Sequence, residues 1–309
     1  MWFSLVTSTL PLTPDSPPAP ARGVARVRAF YELTKPGIAF FVMMTAGVCY
    51  AVASDEGVAV VALLHTLIGV AVATGGALAL NQYLERDVDR KMRRTAGRPI
   101  PSGRLGAGEA LGFGLALVVL GVGHLALTVG ALPALLTLSS AALYTLVYTP
   151  LKPRSYLATF AGAFPGAMPA LIGWSAATGS VSFGALVLFT MAFLWQLPHV
   201  LALAWVLRED YERAGFLLAP IDPDGRKLGM QLVVWTAVLL VVSLIPTAIG
   251  LAGFLYLGGA VVLGGVLLSW SVAARMDMTR DRVRKVFLGS LGYQPLLLGI
   301  LLLDTVMGR

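Results

Sequence analysis

Residues 60–83 read VVALLHTLIGVAVATGGALALNQY, and the chain turns at once to LERDVDRKMRRTAGRP over 84–99. The first stretch runs 24 residues without Asp, Glu, Lys or Arg. A hydrocarbon core about 30 Å thick needs about 20 such residues as a helix. The second stretch is crowded with both signs of charge, so the boundary marks a helix leaving a bilayer. A barrel would need short strands of alternating polarity, which this run lacks.

The same pattern recurs along the chain. By length and apolarity, nine spans are expected near 36–54, 60–83, 107–127, 131–149, 157–177, 182–207, 229–249, 252–274 and 286–305. Of the 309 residues 57% are hydrophobic and 13% charged, against about 25% charged in a soluble domain. Mean hydropathy is +0.79. The fold class read from this is all-α, a polytopic membrane protein in one transmembrane domain over 29–309. The proline-rich residues 1–28 are expected to form a disordered cytoplasmic tail.

Of the 23 basic residues, 22 fall in the N-terminal segment and alternate connections, leaving Arg309 for the other side. By the positive-inside rule the N-terminus is expected in the cytoplasm and the C-terminus across the membrane, in a bacterial inner membrane. The net charge of +7 therefore points to topology and anionic lipid headgroups, with the lipid bilayer as partner and no nucleic acid. The single cysteine, Cys49, excludes an internal disulfide or a cysteine-based metal cluster.

Chemistry is expected on the basic side. On a helix Asn81, Glu85 and Asp89 stand at i, i+4 and i+8, stacking their oxygens on one face. Such oxygens suit Mg²⁺, which binds through one or two carboxylates and completes its octahedron with water and phosphate oxygens. Arg93, Arg94 and Arg98 follow closely, and Arg is suited to phosphate. The plain alternative is a charged loop whose acids pair Arg86, Arg90 and Arg93 at the surface.

A second acidic group, Arg208-Glu209-Asp210-Tyr211-Glu212-Arg213, follows the sixth span, with Asp210 the candidate for a second metal. Lys152 and Arg154 between spans four and five can neutralise a leaving anion or simply set topology. Of three histidines, only His199, after the helix-bending Pro198, lies near this chemistry; a buried packing role competes with a ligand role. Gly75, Gly76, Gly162, Gly166 and Gly173 read as helix-packing positions.

These landmarks resemble the UbiA-type intramembrane prenyltransferases, over about residues 30–304. They are Tyr31-Glu32-Leu33-Thr34-Lys35-Pro36, the run from Asn81 to Pro99, Tyr148-Thr149-Pro150-Leu151-Lys152, Pro165 to Trp174, and Trp195 to His199 followed by Asp210-Tyr211 through Gly215. The run from Trp195 to His199 followed by that from Asp210 to Gly215 points to the branch that modifies heme. The resemblance implies nine transmembrane helices around a central cavity and transfer of farnesyl from farnesyl diphosphate to a vinyl group of heme B. Water addition then gives heme O and diphosphate.

It also implies roles. Asn81, Glu85 and Asp89 fall on a first Mg²⁺-diphosphate motif and Asp210 on a second; Arg94, Arg98 and Lys152 fall on diphosphate-binding positions; His199 falls on a histidine assigned to heme. A heme-modifying or terminal-oxidase assembly partner is expected downstream. Gly37, Gln82, Pro153 and Ala158 depart from the usual residues. Tyr144, Tyr148, Trp174 and Trp195 are candidates for an aromatic wall around a prenyl cation. The rival readings are a quinone-precursor or chlorin prenyltransferase and, from another class, a transporter, which would carry ionisable groups through the middle of several spans.

Overall fold

The computed structural model describes residues 23–54, 57–219, 222 and 224–308. All regular structure within them is helical. A short α1, Val24–Leu33, precedes α2, Pro36–Ala53, and α3, Val60–Leu84. A one-turn α4, Arg86–Asp89, and a run of turns lead to α5, Ala107–Thr128. Then come α6, Ala131–Leu151, α7, Ala158–Thr178, α8, Phe183–Val206, and the short α9, Arg208–Ala214. Helices α10, Arg226–Ala248, α11, Phe254–Met276, and α12, Arg280–Gly308, complete the described chain.

Eight of these helices are long and apolar enough to cross a membrane. The expected span at 157–177 is present as the 21-residue α7, which falls outside that set. Its prolines, glycines and threonines lower its hydropathy, although it has no charged residue. Residues 24–28, expected in the tail, are the first turn of α1; the tail's residues 1–22 lie outside the described residues.

Helices α2, α7 and α8 form the middle of the bundle, with α3, α5 and α6 on one side and α10, α11 and α12 on the other. Apolar burial cannot drive helices together where the solvent is itself hydrocarbon, so close backbone approach matters. It is supplied by glycine. A Cβ on Gly76 would stand 2.7 Å from the carbonyl oxygen of Gly114, and one on Gly121 would stand 2.5 Å from the Ala73 nitrogen. These contacts seam α3 to α5, and Gly173 plays the same part between α7 and α2.

Two local irregularities position the site. The last turns of α6 are wound as a π-helix over Leu143–Tyr148, an unusual form often found at functional sites. Pro150 cannot donate to the carbonyl four residues back. Thr149 reinforces the wider turn, its Oγ1 donating to the Tyr144 carbonyl at 2.8 Å. In α7, Pro169 leaves the Pro165 carbonyl without its helical donor, and Ser140 of α6 donates to it at 3.0 Å.

Between α2, α3, α6, α7 and α8 lies a cavity of about 220 Å³, walled by small and apolar residues with Tyr144, Tyr148 and Gln196. On the opposite side of the bundle Asp304 accepts backbone N–H groups at the start of α11, from Gly253 and from Tyr256 at 3.3 Å. Negative charge is favoured at such an N-terminus.

Candidate functional site

The stack expected of Asn81, Glu85 and Asp89 forms, but through a break. Helix α3 ends at Leu84 and Glu85 leaves helical geometry, with φ −92° and ψ 4°. The i, i+4 spacing survives because Glu85 N–H donates to Asn81 O at 2.9 Å and Asp89 N–H to Glu85 O at 2.7 Å. All three side chains are buried, Asp89 completely.

Each oxygen donor meets a cation or a hydroxyl. Arg98 Nη1 donates to Asp89 Oδ1 at 2.8 Å and to Oδ2 at 2.7 Å. Lys152 Nζ donates to Glu85 Oε1 at 2.7 Å. Asn81 gives a hydrogen bond from Nδ2 to Thr149 Oγ1 at 3.0 Å and accepts at Oδ1 from Lys35 Nζ at 3.3 Å. The carboxylates of Glu85 and Asp89 thus share one pocket with Arg98, Lys152 and Lys35.

Lys35 was not singled out by its chemistry in the sequence. It is the only non-glycine residue at positive φ among those described, at 44°, a strained conformation of the kind that accumulates at functional sites. Pro36 occupies the first position of α2, so the lysine is fixed at the cap. Burial, followed by the Arg98 guanidinium, holds its ammonium well below the usual lysine range, with Glu85 acting the other way. The Thr-Lys-Pro run carried the signal; the backbone turn that aims the side chain inward did not show in it.

Helix α1 braces this pocket. Glu32 pairs with Arg104 at 2.6 Å, and Arg26 pairs with Glu109. Gln82, one of the departures from the usual family residues, donates from Nε2 to the Leu33 carbonyl at 2.8 Å and is fully buried. That position ties α1 to α3 and adds no charge.

The second acidic motif reaches the first through packing. Arg94 lies over the Tyr211 ring, 5.4 Å from its centroid. Tyr211, Phe216 and Leu218 pack with Met92 and Ala158 in one apolar cluster. The Leu217 N–H donates to the Lys152 carbonyl at 2.7 Å. Asp210 itself pairs with Arg213 of its own helix. No three Asp, Glu, His or Cys side chains among the described residues gather as a metal cluster, and Glu85 and Asp89 are each paired with a cation.

Tyr148 joins the charged pocket to the cavity. Its ring lines the cavity, and Lys152 Nζ sits 4.5 Å from its centroid, with Tyr144 tilted against it at 5.3 Å. A Cβ on Gly162 would come within 2.7 Å of the Tyr148 ring, and one on Gly166 within 1.9 Å of Gln196 Oε1. Those two glycines make room for cavity walls as well as for helix packing. Gln196, which sequence reasoning passed over, donates from Nε2 to Ala163 O at 3.1 Å and Ala192 O at 3.0 Å.

The two tryptophan candidates are placed elsewhere. Trp195 donates to the Ser290 carbonyl and stacks on Phe41 at 5.2 Å; Trp174 is buried against Gly184. His199 turns toward α12, where Nδ1 meets Ser290 Oγ at 2.9 Å and the ring lies 4.9 Å from Phe287.

A charged mouth rich in carboxylates, arginine and lysine over an apolar cavity in a helical bundle is the arrangement of an intramembrane prenyltransferase. The chain matches the UbiA prenyltransferase family over residues 41–292 and belongs to that family. Protoheme IX farnesyltransferases are its relatives within it. The one from Solibacter usitatus is 43% identical, with 90% of this chain and 99% of the relative covered. That from Anaeromyxobacter dehalogenans is 41% identical, over 91% and 95%.

Solved structures share the fold. A digeranylgeranylglyceryl phosphate synthase superposes with a TM-score of 0.77 at 16% identity, covering 91% of this chain and 99% of that one. A UbiA homolog from Archaeoglobus fulgidus bound to GPP and Mg²⁺ gives 0.59 at 14% identity, covering 88% and 99%.

Proposed function

We propose that this protein transfers the farnesyl group of farnesyl diphosphate to a vinyl group of heme B and, with addition of water, forms heme O and diphosphate. The observation that carries it is the buried pocket of Glu85, Asp89, Arg98 and Lys152 at the mouth of an apolar cavity. Relatives named protoheme IX farnesyltransferase at 36–43% identity supply the acceptor.

The C1–O bond of the allylic diphosphate breaks, leaving negative charge on the leaving oxygens and positive charge on the prenyl carbon. The vinyl carbon attacks that carbon to form the new C–C bond, and water captures the resulting cation beside the porphyrin and loses a proton. Mg²⁺, when bound, neutralises charge on the leaving diphosphate. The donor set fits such an ion: Asn81, Glu85 and Asp89 would hold it, with Asp210 serving a second. Arg98 and Lys152 would then turn from carboxylates to phosphate, a transfer between oxyanions that leaves neither cation unpaired, and Arg94 would join them from its place over the Tyr211 ring.

The rings of Tyr144 and Tyr148 face the cavity next to this pocket, where π-faces stabilise a carbocation and exclude water. His199 takes the heme side. The cytoplasmic mouth, the inner-membrane setting and the handover to an oxidase-assembly or heme-modifying partner follow from the basic connections and the apolar product.

Mass analysis of the heme after incubating purified protein with heme B, farnesyl diphosphate and Mg²⁺ tests the reading. The expected product carries one farnesyl and one water. Unchanged heme, with farnesyl transferred to an aromatic acceptor supplied in a parallel incubation, would instead establish the quinone-precursor alternative.

A further inference from the structure

The cavity has a closed end. On α6 its lining residues form a helical stripe from Tyr148 to Thr137, 148 − 137 = 11 residues, or at most roughly 16 Å at 1.5 Å per residue, the π-wound turns rising less. Val70, Thr137 and Ile172 line it on the side of the bundle far from the charged mouth, and they are 1%, 5% and 2% exposed. Behind them Leu125 and Ala134 complete an apolar cluster with Val70 and Ile172.

A chain entering this cavity has one end pinned. The diphosphate cannot follow it, because burying that charge away from Arg98 and Lys152 is prohibitive. Each isoprene unit lays four backbone bonds along the chain, an advance of roughly 5 Å for carbon–carbon bonds near 1.5 Å. On the same basis, two units reach about 10 Å, three about 15 Å and four about 20 Å. Three fit the cavity; four meet its floor.

We infer that Val70 and Ile172 are specificity-determining residues, the floor of a ruler that selects a fifteen-carbon prenyl chain. The inference rests on the prenyl-transfer reading above and adds the residues that set the donor's length. About two thirds of the way down the same stripe stands Ala141, 148 − 141 = 7 residues from Tyr148, or at most roughly 10 Å. A larger side chain there raises the floor to two isoprene units, and filling an existing void spares the surrounding packing.

The test is competition among geranyl, farnesyl and geranylgeranyl diphosphate with heme B as acceptor, with kcat/KM measured for each in the wild type, in Val70→Ala/Ile172→Ala and in Ala141→Leu. Wild type should favour farnesyl over geranylgeranyl by about tenfold or more, the scale on which an apolar pocket discriminates. The deepened variant should raise the geranylgeranyl-to-farnesyl ratio by about tenfold, and Ala141→Leu should shift preference to geranyl by a similar factor. Active variants that keep the wild-type ratios overturn the ruler while leaving prenyl transfer intact. If the deepened variant does not fold, the Ala141→Leu ratios decide alone. Wild type that transfers no prenyl group from any donor sinks the underlying reading and the ruler together.

Discussion

Lys152 and Glu85, 67 residues apart in the chain, meet at 2.7 Å beside the ring of Tyr148. Both are almost fully buried, so neither charge has water to fall back on. Removing one partner of such a pair costs about 3–5 kcal/mol, whereas replacing both by apolar or neutral groups is often close to neutral. Lys152→Met should therefore lower the melting temperature in detergent, and Lys152→Met/Glu85→Gln should recover most of the loss. Farnesyl transfer should stay at least about 100-fold down in both, because the groups that stabilise the leaving anion are gone. A single variant as stable as wild type would show that the pair does not form in the protein.

Asp89 is the most enclosed of the carboxylates, with both oxygens on Arg98. Asp89→Asn keeps the shape and removes the charge that a divalent ion requires. Turnover should drop by about 10²–10³-fold, the scale of losing one electrostatic contact in the transition state, and half-activation should need more Mg²⁺. Full Mg²⁺-dependent turnover in this variant contradicts the assignment.

The sequence made the helices legible because lipid imposes one rule on every span: the expected 60–83 and 182–207 correspond to Val60–Leu84 and Phe183–Val206. It made the acidic stack legible because i+4 spacing survives even a broken helix. It could not show Lys35, whose role depends on a left-handed backbone turn. Nor could it show the cavity, whose walls are largely Ala, Gly, Thr and Pro, residues that look alike whether they face a void or a neighbouring helix. Trp195 and His199 were legible as residues and not as directions: both turn to Ser290 of α12.

Two glycines of α7 look equivalent in the sequence and are not. A Cβ on either Gly166 or Gly173 would come within 1.9 Å of a neighbour. For Gly166 that neighbour is the end of the Gln196 side chain, which can move at the cost of its hydrogen bonds to Ala163 and Ala192; for Gly173 it is the Ala46 carbonyl, fixed in α2. Overpacking of a tight contact costs about 1–3 kcal/mol, occasionally more. Gly173→Ala should reach or pass the upper end of that range, while Gly166→Ala should lose about 1 kcal/mol, the scale of a displaced hydrogen bond, with altered turnover. Melting curves in detergent check the order, and equal losses would remove the distinction.

His199 offers a division between the two substrates. Ser290 Oγ donates its hydrogen to the Phe287 carbonyl at 2.7 Å, so in its 2.9 Å contact with His199 the serine oxygen accepts from Nδ1–H. That fixes the tautomer with a lone pair on Nε2, the form that can bind a metal centre or accept a hydrogen bond. His199→Ala should weaken heme binding by about tenfold or more, the loss of roughly one good contact at 1.4 kcal/mol per decade. Farnesyl diphosphate affinity should be unchanged, since the charged mouth is built from other helices. Ser290→Ala, which frees the tautomer and keeps the imidazole, should give a smaller loss for heme alone. Heme absorbance titration and calorimetry with a non-ionising farnesyl diphosphate analogue read the two affinities separately. Equal weakening of both ligands in His199→Ala would mark the residue as a packing group between α8 and α12.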